Sequence, residues 1–258
     1  MIKNIAIILS ICIIIYTIYN KFKYPYHKKK KTLKIAILII TNNKKKDIDK
    51  DTLTRWELEK SNWKRYMNLY KNIDTFFIQC NEIEAFNNVI NCKCKESYRP
   101  GIFQKTIITL NLLVNKYDFY IRTNLSTFVD FATLTKKLNT LPKNIPIFTG
   151  GGCNKANWVS GTSIILNNNT CQLISKNGFL DKYFKSNSPD DVLLGKLLKD
   201  NFIYCHQDHS NYLYEWNYTI SFEENIKLMK ENHIFIRLKT NNIQLYSNNI
   251  DKLIKKYY

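Results

Sequence analysis

Glycine and proline are scarce in this chain, seven and five among 258 residues. Their scarcity excludes collagen-like and Gly/Pro-rich low-complexity architectures. Arginine is scarcer relative to its charge class, five residues against 34 lysines. Surfaces selected to hold phosphate backbones typically carry arginine clusters interleaved with aromatics. The formal charge of +18 is therefore a weak pointer to DNA or RNA, and no nucleic-acid partner is expected. Ile, Asn and Lys together supply 101 residues, the excess that an AT-rich genome produces, so much of the basicity follows from codon composition. No Cys-x-x-Cys pair argues for zinc, and neither glycine-rich phosphate-loop pattern occurs. What is present is a globular composition, 45% hydrophobic and 23% charged, which excludes general disorder and suffices for one or two domains with a large core.

The longest uncharged apolar run is Ile5 to Tyr19. As a helix it spans about 22 Å, short of the ~30 Å hydrocarbon core unless Asn4, Tyr16, Tyr19 and Asn20 extend it into the headgroups. No small-residue cleavage site follows. The expectation is an uncleaved transmembrane anchor over residues 1–20 and a basic linker over 21–32; a cleaved signal or a buried strand are the alternatives. Lys3 alone precedes the run, whereas Lys21, Lys23 and Lys28 to Lys31 follow it. That bias places the following domain on the cytosolic side, and the same lysines suit an anionic lipid surface. Six cysteines lie beyond the run (Cys80, Cys92, Cys94, Cys153, Cys171, Cys205). An even number permits disulfides in an oxidising lumen but does not force them. The compartment stays open.

Beyond the linker the pattern alternates. Leu33 to Thr41 is a continuous β-branched apolar run, as in a central strand buried on both faces. Asp51 to Tyr70 reads as an amphipathic helix starting near Asp51 or Thr52. Asp74 to Cys80 reads as a strand, Phe103 to Val114 as a buried helix after the Pro100-Gly101 turn, and Tyr117 to Arg122 as a third strand. A helix over Phe128 to Leu138 is followed by extended Ile145 to Thr149 and a strand over Val159 to Leu166. Helices over about 167–176 and 189–199, a short strand at Phe202 to Tyr204, extended His233 to Leu238 and a helix over Ile250 to Tyr257 complete the chain. This rhythm predicts one α/β domain over 33–258 with a mostly parallel sheet flanked by helices.

Ligands in open α/β sheets bind beyond the carboxyl edges of the strands. The third strand runs out into Arg122, Thr123, Asn124, Leu125 and Ser126, a fixed fork for phosphate followed by neutral donors; Thr123, Asn124 or Ser126 would equally serve as a helix N-cap. Gly150 to Gly152 and Gly161 are four of the seven glycines within twelve residues, a cluster that asks for close backbone approach or is a plain loop. Ser188-Pro189-Asp190-Asp191 reads as a helix start, with Ser188 as N-cap and Pro189 at the first position. Capping needs one acid, which leaves Asp190 or Asp191 free to accept a proton from a hydroxyl within hydrogen-bond reach. His206, His209 and His233 read as surface or core residues.

Taken together, Tyr98 to Thr106 (YRPGIFQKT), Tyr117 to Phe128 (YDFYIRTNLSTF), Val159 to Leu166 (VSGTSIIL) and Pro189 to Gly195 (PDDVLLG) resemble, in order and spacing over residues 75–200, glycosyltransferases of the β-1,3-galactosyltransferase and Fringe type. They are more closely similar to glycosyltransferase-like proteins of large DNA viruses. The family's strand ending in Lys-Thr corresponds to Arg122-Thr123, its Ser-Gly-Thr/Ser-Gly turn to Ser160-Gly161-Thr162, and its acid-Asp-Val…Gly motif to Asp190-Asp191-Val192 and Gly195. The resemblance implies a GT-A fold, a nucleotide-sugar donor such as a UDP-sugar, inversion at the anomeric carbon, a hexose-type transfer to a glycan or glycoprotein hydroxyl, and a short N-terminal anchor. It implies Asp191, with Asp190, in the catalytic role. Arg122, Thr123, Asn124, Ser126 and Lys105 would face the donor, and Trp158, Ser160, Gly161 and Thr162 would face the acceptor or form a loop beside it. The implied address is a membrane, that of the host Golgi or endoplasmic reticulum or of a virion.

One departure bears on the cofactor. Where the family carries the Asp-x-Asp that holds manganese on the donor diphosphate, this chain has Asn124, Leu125 and Ser126. Neutral side chains do not anchor a divalent cation as two carboxylates do. Either positive side chains, with Arg122 and Lys105 the candidates, replace the metal, or donor chemistry has been lost and the protein only binds glycans or partners.

Overall fold

In the computed structural model the described residues are 32–42, 49–80, 84–86, 88–176, 180–206 and 212–258. The expected anchor and all but the last residue of the basic linker lie outside them. Among the described residues, no helix is long and apolar enough to cross a membrane.

The first strand, β1 (Ile35–Ile40), explains the rest. Its side chains alternate: Ile35, Ile37 and Ile39 enter one apolar cluster, Ala36 and Leu38 another. Both faces are covered, so every residue had to be apolar. β2 (Ile73–Cys80) and β5 (Phe119–Asn124) flank β1, each parallel to it. Helix α1 (Lys50–Tyr66) makes the β1-to-β2 crossover, and α2 (Gly101–Leu113) lies between β4 (Val89–Cys92) and β5. With β3 (Glu84–Phe86), β7 (Phe148–Thr149) and β8 (Ile164–Asn167), the sheet runs β3-β4-β2-β1-β5-β8-β7. β1, β2, β4 and β5 are mutually parallel, while β3 and β8 run antiparallel to their inner neighbours. On one face pack α1, α3 (Phe131–Leu138) and α8 (Ile243–Tyr257), through Trp63, Tyr66, Leu134 and Leu253. On the other pack α2, α4 (Asn168–Lys176) and α6 (Asp190–Asp200), through Phe103, Ile107, Ile174 and Leu197. The short α5 (Asp181–Phe184) precedes α6. The predicted α/β fold, a mostly parallel sheet flanked by helices, is thus present, with antiparallel strands at its edges.

A second sheet, β6-β10-β9, is built from Thr127–Val129, Phe235–Arg237 and Leu213–Glu215. Between β9 and β10 the chain forms α7 (Phe222–Leu228), opened by a Ser221–Glu224 capping box.

Several expectations are corrected. Phe128 lies in β6 rather than in a helix; α3 starts three residues later because the Asp130 carboxylate accepts the Ala132 and Thr133 N–H groups. Neither Thr123, Asn124 nor Ser126 caps it. Helix α1 starts at Lys50, beside the expected Asp51 and Thr52, and Asp49 caps it. Residues 159–163 are a turn, and the strand starts only at Ile164. Phe202 to Tyr204 is not a strand; Phe202 takes φ 60° and its side chain is exposed. Pro189 rather than Ser188 occupies the N-cap of α6, with no side-chain capping bond.

Candidate functional site

The β1–β5 register pairs Ile40 with Asn124. It therefore sets Thr41 and Asn42 beside the Asn124-Leu125-Ser126 corner at one sheet edge, where parallel strands end. A cavity of about 470 Å³ opens there, lined by Thr41, Asn42, Asn124, Ser126, Tyr98 and Lys105, within the range of small-molecule sites. Its far wall is α1, which contributes Arg55, Trp56 and Glu59 from one helical face.

A second cavity of about 540 Å³ contains Arg122, Trp158, Ser160, Gly161, Thr162, Asp190 and Asp191. Both cavities are lined by Tyr98, Ile102, Asn124, Arg237 and Lys239, so they form one continuous cleft.

The second cavity is organised by Arg122. Its guanidinium donates to the Asp190 carboxylate and to the Gly161 carbonyl. A Cβ at position 161 would meet that guanidinium, so a larger residue there would displace Arg122. Thr123, fully buried, donates its hydroxyl to the Thr162 carbonyl at 2.7 Å, and Ser160 Oγ meets Thr162 Oγ1 at 3.1 Å. The turn is thus pinned to β5 on two sides. Asp191 Oδ2 accepts the Gly161 N–H at 3.3 Å and Oδ1 accepts the Val192 N–H at 2.9 Å. Asp190 and Asp191 stand in the first turn of α6, where the helix dipole favours negative charge. Asp190 is taken by Arg122; Asp191 faces the cavity without an ion pair among the described residues.

Lys105 is 1% exposed. Its ammonium reaches Glu96 Oε1 and the Thr41 carbonyl, each at 2.5 Å. Burial holds its ammonium below the ordinary lysine range, against the pull of Glu96. Arg122, 4% exposed, and Lys105 therefore both have their charge matched by a carboxylate of the protein. Of the residues to which the resemblance gives a catalytic, donor or acceptor role, Thr123 alone lines neither cavity; it sits behind the turn.

The cavity walls also hold residues that sequence reasoning passed over: Arg55, Trp56, Glu59, Tyr98, Glu215, Arg237 and Lys239. Three of the five arginines, Arg55, Arg122 and Arg237, line the cleft, so the rarity of arginine was the available signal. Glu59 is 4% exposed, and burial, opposed by Arg55, raises its carboxyl to about 7.

The residues at the corner do not suit a divalent cation. Asn124 and Ser126 are neutral and Leu125 is buried. The Leu125 carbonyl accepts the Trp63 indole N–H at 2.9 Å and the Ser126 carbonyl accepts the Leu238 N–H at 2.8 Å, so two main-chain oxygens are already engaged. Among the described residues no group of three or more His, Cys, Asp or Glu side chains converges.

Two disulfides frame the cleft. Cys80–Cys94 stands beside Glu96, whose Oε2 accepts the Cys80 N–H at 2.9 Å. Cys153–Cys205 ties the loop after Gly152 to the segment after α6. Cys92 and Cys171 are free and buried.

No protein-family model matches this chain, and no curated protein does. Its structural neighbours include glycosyltransferases. It is similar to the apo form of the glycosyltransferase GlyE of Streptococcus pneumoniae, with 12% identity over 87% of this chain and a TM-score of 0.48; this chain spans 64% of that one. It is similar to a glycosyltransferase involved in the glycosylation of the major capsid of PBCV-1, at 11% identity over 84% of this chain and 99% of that one, TM-score 0.44. Mouse xyloside xylosyltransferase 1 follows at 9% identity over 81% and 98%, TM-score 0.42. Likenesses this distant leave the reading of the site to its own residues.

Proposed function

We propose that this domain is a GT-A-type glycosyltransferase that moves a sugar, of hexose type, from a nucleotide-sugar donor to an acceptor hydroxyl, with inversion and with Asp191 as general base. One observation carries the reading: Arg122, the Ser160–Thr162 turn and the Asp190-Asp191 helix start, distant in sequence, meet in one cleft that runs into a second cavity at the carboxyl edge of β1 and β5. These are the segments that carry the family resemblance, and a cavity at that edge is where an α/β sheet holds ligands.

The mechanism is a single displacement. An acceptor hydroxyl gives its proton to the Asp191 carboxylate as its oxygen bonds to the anomeric carbon. The bond from that carbon to the donor diphosphate breaks, and the nucleoside diphosphate leaves with the electron pair. The N–H groups of Gly161 and Val192 hold the Asp191 carboxyl in place. Arg122 keeps Asp190 and the turn in register and so acts on positioning. Proton abstraction by a positioned side chain is worth about 10²- to 10⁴-fold. Asp191→Asn should therefore lower turnover by about that factor while its melting temperature and nucleotide binding stay near wild type. A panel of nucleotide sugars assayed for hydrolysis and transfer checks this; full activity in Asp191→Asn removes the residue from the mechanism.

A glycan-binding scaffold on the same fold is the second reading. The carboxylates already paired with Arg122 and Lys105 favour it, because neither cation is left for a donor. Titration with UDP separates the two: a transferase binds its donor nucleotide, a scaffold need not. Anchoring in a membrane through Ile5 to Tyr19 belongs to the same proposal and rests on the sequence alone.

A further inference from the structure

The corner after β5 lacks the carboxylates that a divalent cation needs, and the two cations expected from the sequence are matched by Asp190 and Glu96. A leaving diphosphate still requires positive charge, because negative charge grows on it as the anomeric bond breaks. Three other cations line the cleft. Arg55 comes from α1; its Nη1 donates to Asn241 at 2.8 Å. Arg237 ends β10 and pairs in register with Thr127 on one side and Glu215 on the other. Lys239 follows two residues later and is exposed.

Their placement is set by the small sheet. The Leu238 N–H donates to the Ser126 carbonyl, which draws Arg237 and Lys239 against the same corner where two acids stand in the family pattern. Both residues line both cavities, so they occupy the passage between the space beneath β1 and the space beside Asp191. A diphosphate joining a nucleoside in the first to an anomeric carbon in the second would cross that passage. Arg237 gives one nitrogen to Glu215 at 3.0 Å. Its Nε, like that of Arg122, is buried with no hydrogen-bond partner among the described residues. Lys239 has no ion pair among the described residues.

We infer that Arg55, Arg237 and Lys239 form a diphosphate seat, supplying with side-chain charge what a metal ion supplies where two carboxylates are present. This rests on the donor reading above, and Arg237 and Lys239 are its centre, with Arg55 on the nucleoside side.

Inorganic pyrophosphate is the direct probe, titrated calorimetrically into the domain in the presence of EDTA. It should bind, and replacing EDTA by manganese should change the affinity by less than about twofold. Arg237→Gln and Lys239→Gln should each weaken binding by about tenfold, the loss expected when a charge-assisted contact to phosphate goes. Glu215→Gln, which releases Arg237, should tighten it several-fold. Arg65→Gln, whose partner Asp251 lies on α8 away from the cleft, removes one charge without touching the seat and should leave affinity unchanged. Lys239 is exposed, so its variant keeps the test valid even if Arg237→Gln does not fold. Binding only with manganese, or equal losses in Arg65→Gln and Lys239→Gln, overturns the seat. UDP run in parallel separates the two readings. Pyrophosphate bound with UDP rejected leaves the seat and removes the nucleotide donor; UDP bound equally by wild type and Lys239→Gln removes the seat and leaves the donor.

Discussion

Glu59 shows how a single buried side chain sets the behaviour of a cleft wall. It lies one helical turn from Arg55 on α1, and burial raises its carboxyl to about 7. The folded protein therefore holds this proton more tightly than the unfolded chain. Its contribution to stability is present in full below the unfolded value, near 4.5, and is lost as pH rises towards 7. A shift of that size corresponds to about 3 kcal/mol at alkaline pH. Urea unfolding at pH 5 and pH 8 should show Glu59→Gln gaining that amount on wild type between the two. A difference independent of pH would mean the carboxyl does not titrate in the fold. None of this was legible from the sequence, where Glu59 is one acid among many on an amphipathic helix. Arg122 was legible, because it closes the apolar run read as the third strand, which in the fold continues to Asn124. Arg55 and Arg237 were not, since neither sits in a recognisable motif; only their rarity marked them.

At the scale of elements, apolar continuity and helical spacing carried β1, β2, α1, α2, α4 and α6 with boundaries close to those found. The failures have a common cause. β6 and β9 are three residues each and pair with a partner distant in sequence, so no local period announces them, whereas β10 falls inside the extended His233 to Leu238 segment. β8 starts later than expected because the turn before it is bent around Arg122, a tertiary demand that overrides the β-branched pattern. The cysteines fall in the same class: the sequence permitted pairing, and only the fold brings Cys153 to Cys205. That bridge closes a loop with a sequence separation of 52, which encloses the Ser160–Thr162 turn and the start of α6. Cys153→Ser with Cys205→Ser should cost about 2–4 kcal/mol in denaturant unfolding. It should also lower turnover more than it lowers pyrophosphate affinity, because the bridge encloses the Asp191 side of the cleft and not the β10 side. Unchanged stability would place the pair outside the folded constraint.

For the molecule as a whole, two kinds of evidence point in opposite directions on its setting. The lysines after Tyr19 favour a cytosolic domain, whereas two disulfides favour an oxidising compartment; on our reading the bridges weigh more, and the proposed address is lumenal or outside the cytosol. The net charge is spread over lysines, and among the described residues the cations that line the cleft are Arg55, Lys105, Arg122, Arg237 and Lys239. Asn157 adds a mechanical point. It adopts φ 61° and its side-chain amide donates to the Gly195 and Ile203 carbonyls. Gly195 admits it, since a Cβ there would collide with the Asn157 carbonyl oxygen. The loop and α6 are in effect dovetailed, a joint that resists sliding and hinging alike. Deuterium uptake should report this joint, with residues 157–163 and 192–198 slow in step with each other.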